Sequence, residues 1–428
     1  MARRRSSGRP KPSAHEEVLT IDRLAVSGAG MAGDISVPFT LPGEKVQAAV
    51  KQRAAEPLEI LTTSAQREAP LCQHFGMPGE GCGGCFHQHL GLANSLVLKR
   101  DNLIAAVKAA GLTPPEITVH QSPLKSRRRA SLTMIRTGKG WQFGFNRWHS
   151  HQLVPMLECH ILAPELFAFA QGMSKAANTF FPNSAKKAGL SLTLTDEGID
   201  AEITHIAEDE FDLSAREGLA ALAAEHGIAR LAIAGVPQYQ SRPAVMHLDG
   251  VPVALPPSNF LQATKDGQTF LTDEVIKGAG DAPRVADLFS GLGTFALPLS
   301  RRAGVLAVDS DGPAMASLTT AVRTHGRRVD TMTRDLFDLP LTPAELEGFD
   351  AVVMDPPRAG AEAQARELAR SNVPVVVSVS CLTKSFARDA AILSGAYELV
   401  SLALLDQFVF SSHMEMAGIF RLKTGGLR

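Results

Sequence analysis

Between Glu17 and Leu61 apolar and polar positions alternate at period two, interrupted by Gly28, Gly30, Gly33 and Pro42-Gly43. Alternation of that kind, punctuated by turn residues, predicts short β-strands closing into a small β-barrel. Helical spacing takes over from Leu96 to Ala110 and is stopped by Gly111 and Pro114-Pro115. Strands return from Arg129 to Ile161, where Trp141, Phe143 and Phe145 alternate, and Leu190 to Val245 mixes strands with an alanine-rich helix from Ser214 to His226. From about Asp281 the texture becomes a regular β–α alternation. RVADLF, GVLAVD, DAVVMD and PVVVSVS are apolar runs of strand length, separated by helical stretches. That is the pattern of an α/β fold with a doubly wound parallel sheet.

At 428 residues the chain exceeds one ordinary core, which predicts two or three domains. No apolar run reaches the ~20 residues of a membrane helix, so no membrane partner is expected. Arg3, Arg4, Arg5, Arg9 and Lys11 make the start basic, yet no apolar segment of a secretory signal follows, and a cytoplasmic protein is expected. The net charge of -1 gives no global sign of nucleic acid. Two local basic runs do: the first residues, and Lys125 with Arg127, Arg128 and Arg129. Each is either a solvated surface or a phosphate contact. The five cysteines argue against a disulfide framework. Cys72, Cys82 and Cys85 cluster, Cys159 follows, and Cys381 stands far away, which reads as four plus one.

Candidate chemistry gathers at strand ends. Asp287-Leu-Phe-Ser-Gly291-Leu-Gly293-Thr294 ends one strand and opens a helix, where two glycines let backbone approach a ligand. The next strand ends at Asp309, whose carboxylate suits both hydroxyls of a ribose. The third glycine of a dinucleotide fingerprint and the Walker lysine are both missing. Asp355-Pro356-Pro357-Arg358 closes a further strand in a rigid loop. The following strand runs directly into Cys381, with Lys384 and Arg388 nearby to favour its thiolate. Glu415 lies within an apolar segment, where a buried carboxylate needs a reason. A thiol nucleophile, a carboxylate base and a glycine turn suit one reaction in particular. A thiolate adding to C6 of a uracil makes C5 nucleophilic toward a methyl sulfonium, and a base then removes the C5 proton.

DLFSGLGTF, DPPRAG, VSC followed by ARD, and HMEMAGIF, in that order, resemble the successive motifs of the RNA uracil-C5 methyltransferase family. SNFLQAT resembles its aromatic-x-Gln segment. The resemblance spans nearly the whole chain. It implies that Cys381 is the nucleophile and Glu415 the base, with S-adenosylmethionine as cofactor. Gln262, Phe289, Gly291, Asp309 and Asp355 match cofactor or pocket positions, and Asp335 sits where a further cofactor contact is expected. LAVSGAGMA and LPGEKV resemble the TRAM domain, an OB-like RNA-binding barrel. Four thiols by themselves suit zinc slightly better than an iron–sulfur cluster, with His74, His87 or His89 as substitute ligands. The resemblance, to the ribosomal RNA branch, implies a [4Fe–4S] cluster on Cys72, Cys82, Cys85 and Cys159.

The implied organisation is a basic tail (1–14), the TRAM barrel (15–66), a central α+β domain with the cysteines (67–255) and a class I, Rossmann-like methyltransferase domain (256–428). The implied substrate is a uridine of structured RNA, 23S ribosomal RNA in that branch or transfer RNA in the other, and the protein is expected to be a monomer. Three departures stand out. The spacing from Cys72 to Cys82 is long, Leu382-Thr383 replaces the usual Asn-Pro after the nucleophile, and Val409 replaces a proline. Other readings are a cytosine-C5 or exocyclic-amine methyltransferase, which Arg358 after Pro-Pro and Ser380 before Cys381 disfavour, and a non-catalytic RNA-binding protein, which intact Cys381 and Glu415 disfavour.

Overall fold

The computed structural model describes residues 14–77, 80–257 and 260–423, so nearly all of the basic tail lies outside the described residues. Two compact units divide the chain: 1–98 with 146–152 and 410–412, and all the rest.

The smaller unit carries a six-stranded sheet in which His15–Thr20, Lys45–Lys51 and Ala54–Thr62 form an antiparallel meander beside three shorter strands. Lys45–Lys51 shows the alternation its sequence predicts: Val46, Ala48 and Val50 turn inward onto Leu19, Ile21 and Val37. Glu44, fully buried, accepts N–H donors from Leu41 at 2.8 Å and Ser64 at 3.2 Å and pairs with Arg67 at 2.6 Å. Burial alone would raise its pKa, but these donors outweigh it and hold the carboxyl below its ordinary value.

The larger unit holds an eight-stranded sheet: β1 (Ile117–Gln121), β2 (Arg284–Leu288), β3 (Gly304–Asp309), β4 (Val329–Thr333), β5 (Ala351–Met354), β6 (Val375–Ser380), β7 (Tyr397–Asp406) and β8 (Glu415–Leu422). Their spatial order is β4-β3-β2-β5-β6-β8-β7-β1. From β4 to β6 all pairings are parallel, and β8 alone runs antiparallel to both its neighbours. β5 and β6 are buried at every position, as strands covered on both faces must be. The same unit contains a seven-stranded sheet, whose apolar face is covered by the helices Pro164–Phe180 and Leu213–Glu225. A hairpin between Val245–Leu248 and Val251–Ala254 turns at Asp249-Gly250, both at positive φ, as a two-residue turn of matching twist requires.

Among the described residues no helix is long and apolar enough to cross a membrane.

Candidate active site

The chain leaves β2 for β3 on one side and returns to β5 on the other, so the carboxyl ends of β2 and β5 flank a switch point. An open α/β sheet leaves a crevice at such a place. Here it is a cavity of about 730 Å3 within the larger unit.

Phe289, Gly291 and Asp309 line one side of the cavity. Phe289 sits at φ +60, a left-handed conformation that costs a residue other than glycine on the order of 1 kcal/mol. Gly293, at φ +87, could carry no side chain, because an added Cβ would stand 2.6 Å from Leu318. Asp309 is held by two backbone donors, Gly291 N–H and Asp311 N–H, each at 2.8 Å. Asp287, fully buried, accepts the Ser290 hydroxyl at 2.7 Å, and the Ala296 backbone N–H also acts to lower its pKa. Burial pushes Asp287 up to about 7 against the Ser290 hydrogen bond, with the Asp355 charge adding to the rise. Asp335 is exposed and is not among the lining residues; its carboxylate accepts the Phe337 N–H at 2.9 Å, and Phe337 does line the cavity.

Cys381, Asp355, Gln262 and Glu415 line the other side. Cys381 follows the last residue of β6, and Glu415 is the first residue of antiparallel β8. Ser380 pairs with Met416, so one step further along this register sets Cys381 opposite Glu415. Cross-strand partners have Cβ atoms roughly 5 Å apart. Burial pushes the Cys381 thiol up to about 11, helped by the Glu415 and Asp355 charges and opposed by Arg358. Burial likewise raises Glu415 well above the ordinary carboxylate range and lifts Asp355 to about 7.

These shifts correct the expectation of a thiolate favoured by Lys384 and Arg388. Arg388 is engaged by Asp389 at 2.7 Å and by the Ala359 carbonyl at 2.9 Å. The cation that acts on the thiol is Arg358, in the Pro-Pro loop. The replacement of Asn-Pro by Leu382-Thr383 leaves the helix Thr383–Leu393 with no side-chain cap. The basic run is also not uniform. Arg128 is buried, donating to the Gln262 carbonyl at 2.9 Å and the Gln268 side chain at 2.6 Å, so it braces the pocket. Arg127 and Arg129 line the cavity, over the rings of Phe408 and Phe260.

One residue escaped the sequence reading. Gln407, fully inside the core, joins Gln262 at 2.8 Å and Glu415 at 3.4 Å. Its signal was present: Asp406-Gln407 interrupts the otherwise apolar LALLDQFVF.

The cysteines divide differently. Cys72, Cys82 and Cys85 belong to the smaller unit and Cys159 to the larger. Among the described residues no group of three or more His, Cys, Asp or Glu side chains is arranged to hold a metal ion. The long Cys72–Cys82 spacing folds back on itself. Cys82 N–H donates to the His74 carbonyl at 2.7 Å, and an added Cβ on Gly81 would lie 2.3 Å from Gly76 N. Pro78 and Gly79, within that segment of the sequence, lie outside the described residues. Two sulfurs accept backbone N–H groups: Cys82 from Gly84 at 3.4 Å and Cys159 from Leu162 at 3.5 Å.

The sheet order and its cavity are those of the class I methyltransferases. In fold the chain is similar to the Pyrococcus abyssi tRNA (uracil-54, C5)-methyltransferase, at a TM-score of 0.73 and 22% identity over 94% of this chain and 99% of that one. A family model described as tRNA (Uracil-5-)-methyltransferase matches residues 332–424. An uncharacterized RNA methyltransferase of Rhizobium meliloti is 39% identical over 93% of this chain and 97% of that protein. The 23S rRNA (uracil(1939)-C(5))-methyltransferase RlmD of Chromohalobacter salexigens is 32% identical over 96% of this chain and 91% of its own length. The chain belongs to the family of RNA uracil-C5 methyltransferases.

Proposed function

We propose that this protein methylates C5 of a uridine in 23S ribosomal RNA through a covalent adduct between Cys381 and C6 of the base. The observation that carries the reading is the register of β6 and β8, which sets Cys381 opposite Glu415 at the switch-point cavity. The similarity to RlmD supports ribosomal RNA as the substrate class.

The residues divide the work as follows. Arg127 and Arg129, on the cavity wall, would meet phosphate, and the target base would leave its stack to enter between Asp355, Cys381 and Glu415. The Cys381 thiol releases its proton to solvent in the cavity as its sulfur bonds to C6, and the C5=C6 electron pair moves toward the C4 carbonyl to give the enolate. The high pKa of the resting thiol keeps it protonated until a base is in place, and the incoming charge of the cofactor and Arg358 both favour its ionisation. S-adenosylmethionine, consumed as the second substrate, supplies an electrophilic methyl group to C5 and departs as the neutral thioether. Phe289, Gly291, Asp309 and Gln262 would hold it. Glu415, as a carboxylate, then takes the C5 proton. The C–H pair re-forms C5=C6, and the C6–S bond breaks to return the thiolate. Burial makes Glu415 a stronger base than an exposed glutamate, as this step requires.

The smaller unit's strands would form the OB-like barrel of a TRAM domain and bind RNA. Cys72, Cys82, Cys85 and Cys159 would hold a [4Fe–4S] cluster of structural role. The resemblance to the ribosomal RNA branch is what supports this reading. Protein purified without oxygen is expected to contain four irons and four sulfides per chain; zinc, or no metal, would reject the cluster.

The function is tested by mapping 5-methyluridine in ribosomal and transfer RNA from cells with and without the gene, and by restoring it with purified protein. Loss at a 23S position is expected. Loss in transfer RNA alone would overturn the substrate, and purified protein that methylates neither RNA would overturn the activity.

A further inference from the structure

The two carboxylates of the pocket are joined through a pair of buried amides. Gln262 Nε2 donates to Asp355 Oδ2 at 3.3 Å, and Gln262 Oε1 accepts from Gln407 Nε2 at 2.8 Å. The same Gln407 nitrogen faces Glu415 Oε1 at 3.4 Å. Gln262, Gln407 and Glu415 are each less than 5% exposed.

The direction of the chain is dictated from one end. Gln407 Oε1 accepts from Thr264 N–H at 3.3 Å, and a backbone N–H can only donate. Gln407 must therefore point its oxygen at Thr264 and its nitrogen at Gln262 and Glu415. Gln262 in turn must present its oxygen to Gln407 and its nitrogen to Asp355. Thr264 is itself fixed, because it caps the helix Lys265–Ala279, its hydroxyl accepting from Gly267 N–H at 3.1 Å. Gly267 leaves space for the arrangement: an added Cβ would lie 3.1 Å from Gln407 Oε1. At its other end Gln407 is anchored by Asp406, which closes β7 and is paired to the buried Lys99 at 2.5 Å.

We propose that Gln407 is a positioning residue, holding the Glu415 carboxylate and the Gln262 amide in the single orientation that proton removal from C5 requires. This deepens the reading of Glu415 as the base and rests on it. Gln407 touches neither reacting atom in this account. It acts by donating to the carboxylate, which keeps one Glu415 oxygen engaged and leaves the other for the C5 proton. A neighbour unable to donate would leave that carboxylate free to rotate, and misplacement on that scale costs on the order of 10²-fold in rate.

The test compares wild type, Gln407→Met and Glu415→Gln on an RNA substrate with ordinary uridine, following methyl transfer and the covalent protein–RNA adduct by mass in a single turnover. Methionine keeps the length of the side chain and removes its donor and acceptor. The expected result is methyl transfer followed by a methylated adduct that survives at least about tenfold longer than in wild type, as in Glu415→Gln. A merely structural role would lower the fraction of active protein without lengthening the life of the adduct. Gln407→Asn, whose shorter arm cannot span both partners, is read in the same way if methionine unsettles the fold. If Glu415→Gln stalls and neither Gln407 variant does, the positioning role is overturned and the base stands. If Glu415→Gln does not stall, the base assignment falls and takes the proposal with it.

Discussion

The sheet end that carries Cys381 and the loops that carry Cys72, Cys82 and Cys85 are built in different ways. At the end of the eight-stranded sheet, Cys381 is placed by hydrogen-bonded register: once Ser380 pairs with Met416, its position opposite Glu415 follows. In the smaller unit, Cys72, Cys82 and Cys85 lie on loops, and their approach depends on turns such as the fold-back that brings Gly81 against Gly76. A sheet end fixes positions closely and tolerates no slip, because a shift of one residue would turn Cys381 to the other face. A loop absorbs an insertion, since closing a slightly longer segment costs little. The proposed bond-making chemistry lies on the first kind of scaffold and the proposed structural centre on the second.

The contrast can be broken or sharpened by substitution. The largest effect is expected from Cys381→Ala, which should lower turnover by at least about 10⁴-fold, as loss of a nucleophile does, with methyl-donor binding retained by calorimetry. Turnover within tenfold of wild type would show that the register does not serve the reaction. Glu415→Gln should cost about 10²–10⁴-fold in turnover, the range for a general base, while still forming adduct.

A smaller effect concerns the thiol itself. Because burial and two carboxylates raise Cys381 to about 11, its alkylation by iodoacetamide should climb with pH through neutrality and level off only in the strongly alkaline range. Asp355→Asn removes one of the charges that disfavour the thiolate. It should therefore speed alkylation at pH 8, by about tenfold for each pH unit that the curve moves down. An unchanged curve would mean that the pocket carboxylates do not govern the nucleophile.

The smallest expected effect lies in the loop. Gly81→Ala forces a Cβ onto Gly76 and should destabilise the protein by about 1–3 kcal/mol, seen as a lower Tm, with bound iron reduced in the same sample. Its effect on single-turnover methyl transfer should stay within a few-fold. A loss as large as that of Glu415→Gln would erase the distinction between the two regions.

Much of the sheet end was legible because its motifs lie where strands stop. GVLAVD is a strand from Gly304 to Asp309 as read, and Cys381 and Asp355 each directly follow a buried strand. What periodicity hid were polar residues at buried positions. The helix read from Leu96 begins at Leu92, because Ser95 is buried in its first turn against His87 at 2.9 Å and breaks the apolar spacing. Arg128 looked like its neighbours in a basic run, yet its guanidinium is consumed by the Gln262 carbonyl and Gln268. Gln407 shows in the sequence as a polar break in an apolar run, and its partner becomes visible when β7 and β8 bring it beside Glu415. Three-dimensional proximity, which no spacing rule encodes, made the difference in each case.

The proposed mechanism turns on Cys381 becoming covalently bound to the base that is methylated. The most direct test uses a substrate RNA with 5-fluorouridine at the target position, since fluorine cannot leave as a proton and the adduct cannot resolve. Digestion and mass spectrometry should find one methylated fluorouridine on the peptide containing Cys381, formed only when S-adenosylmethionine is present. Methylation of the ordinary RNA with no trapped adduct, or an adduct on another residue, would contradict the account.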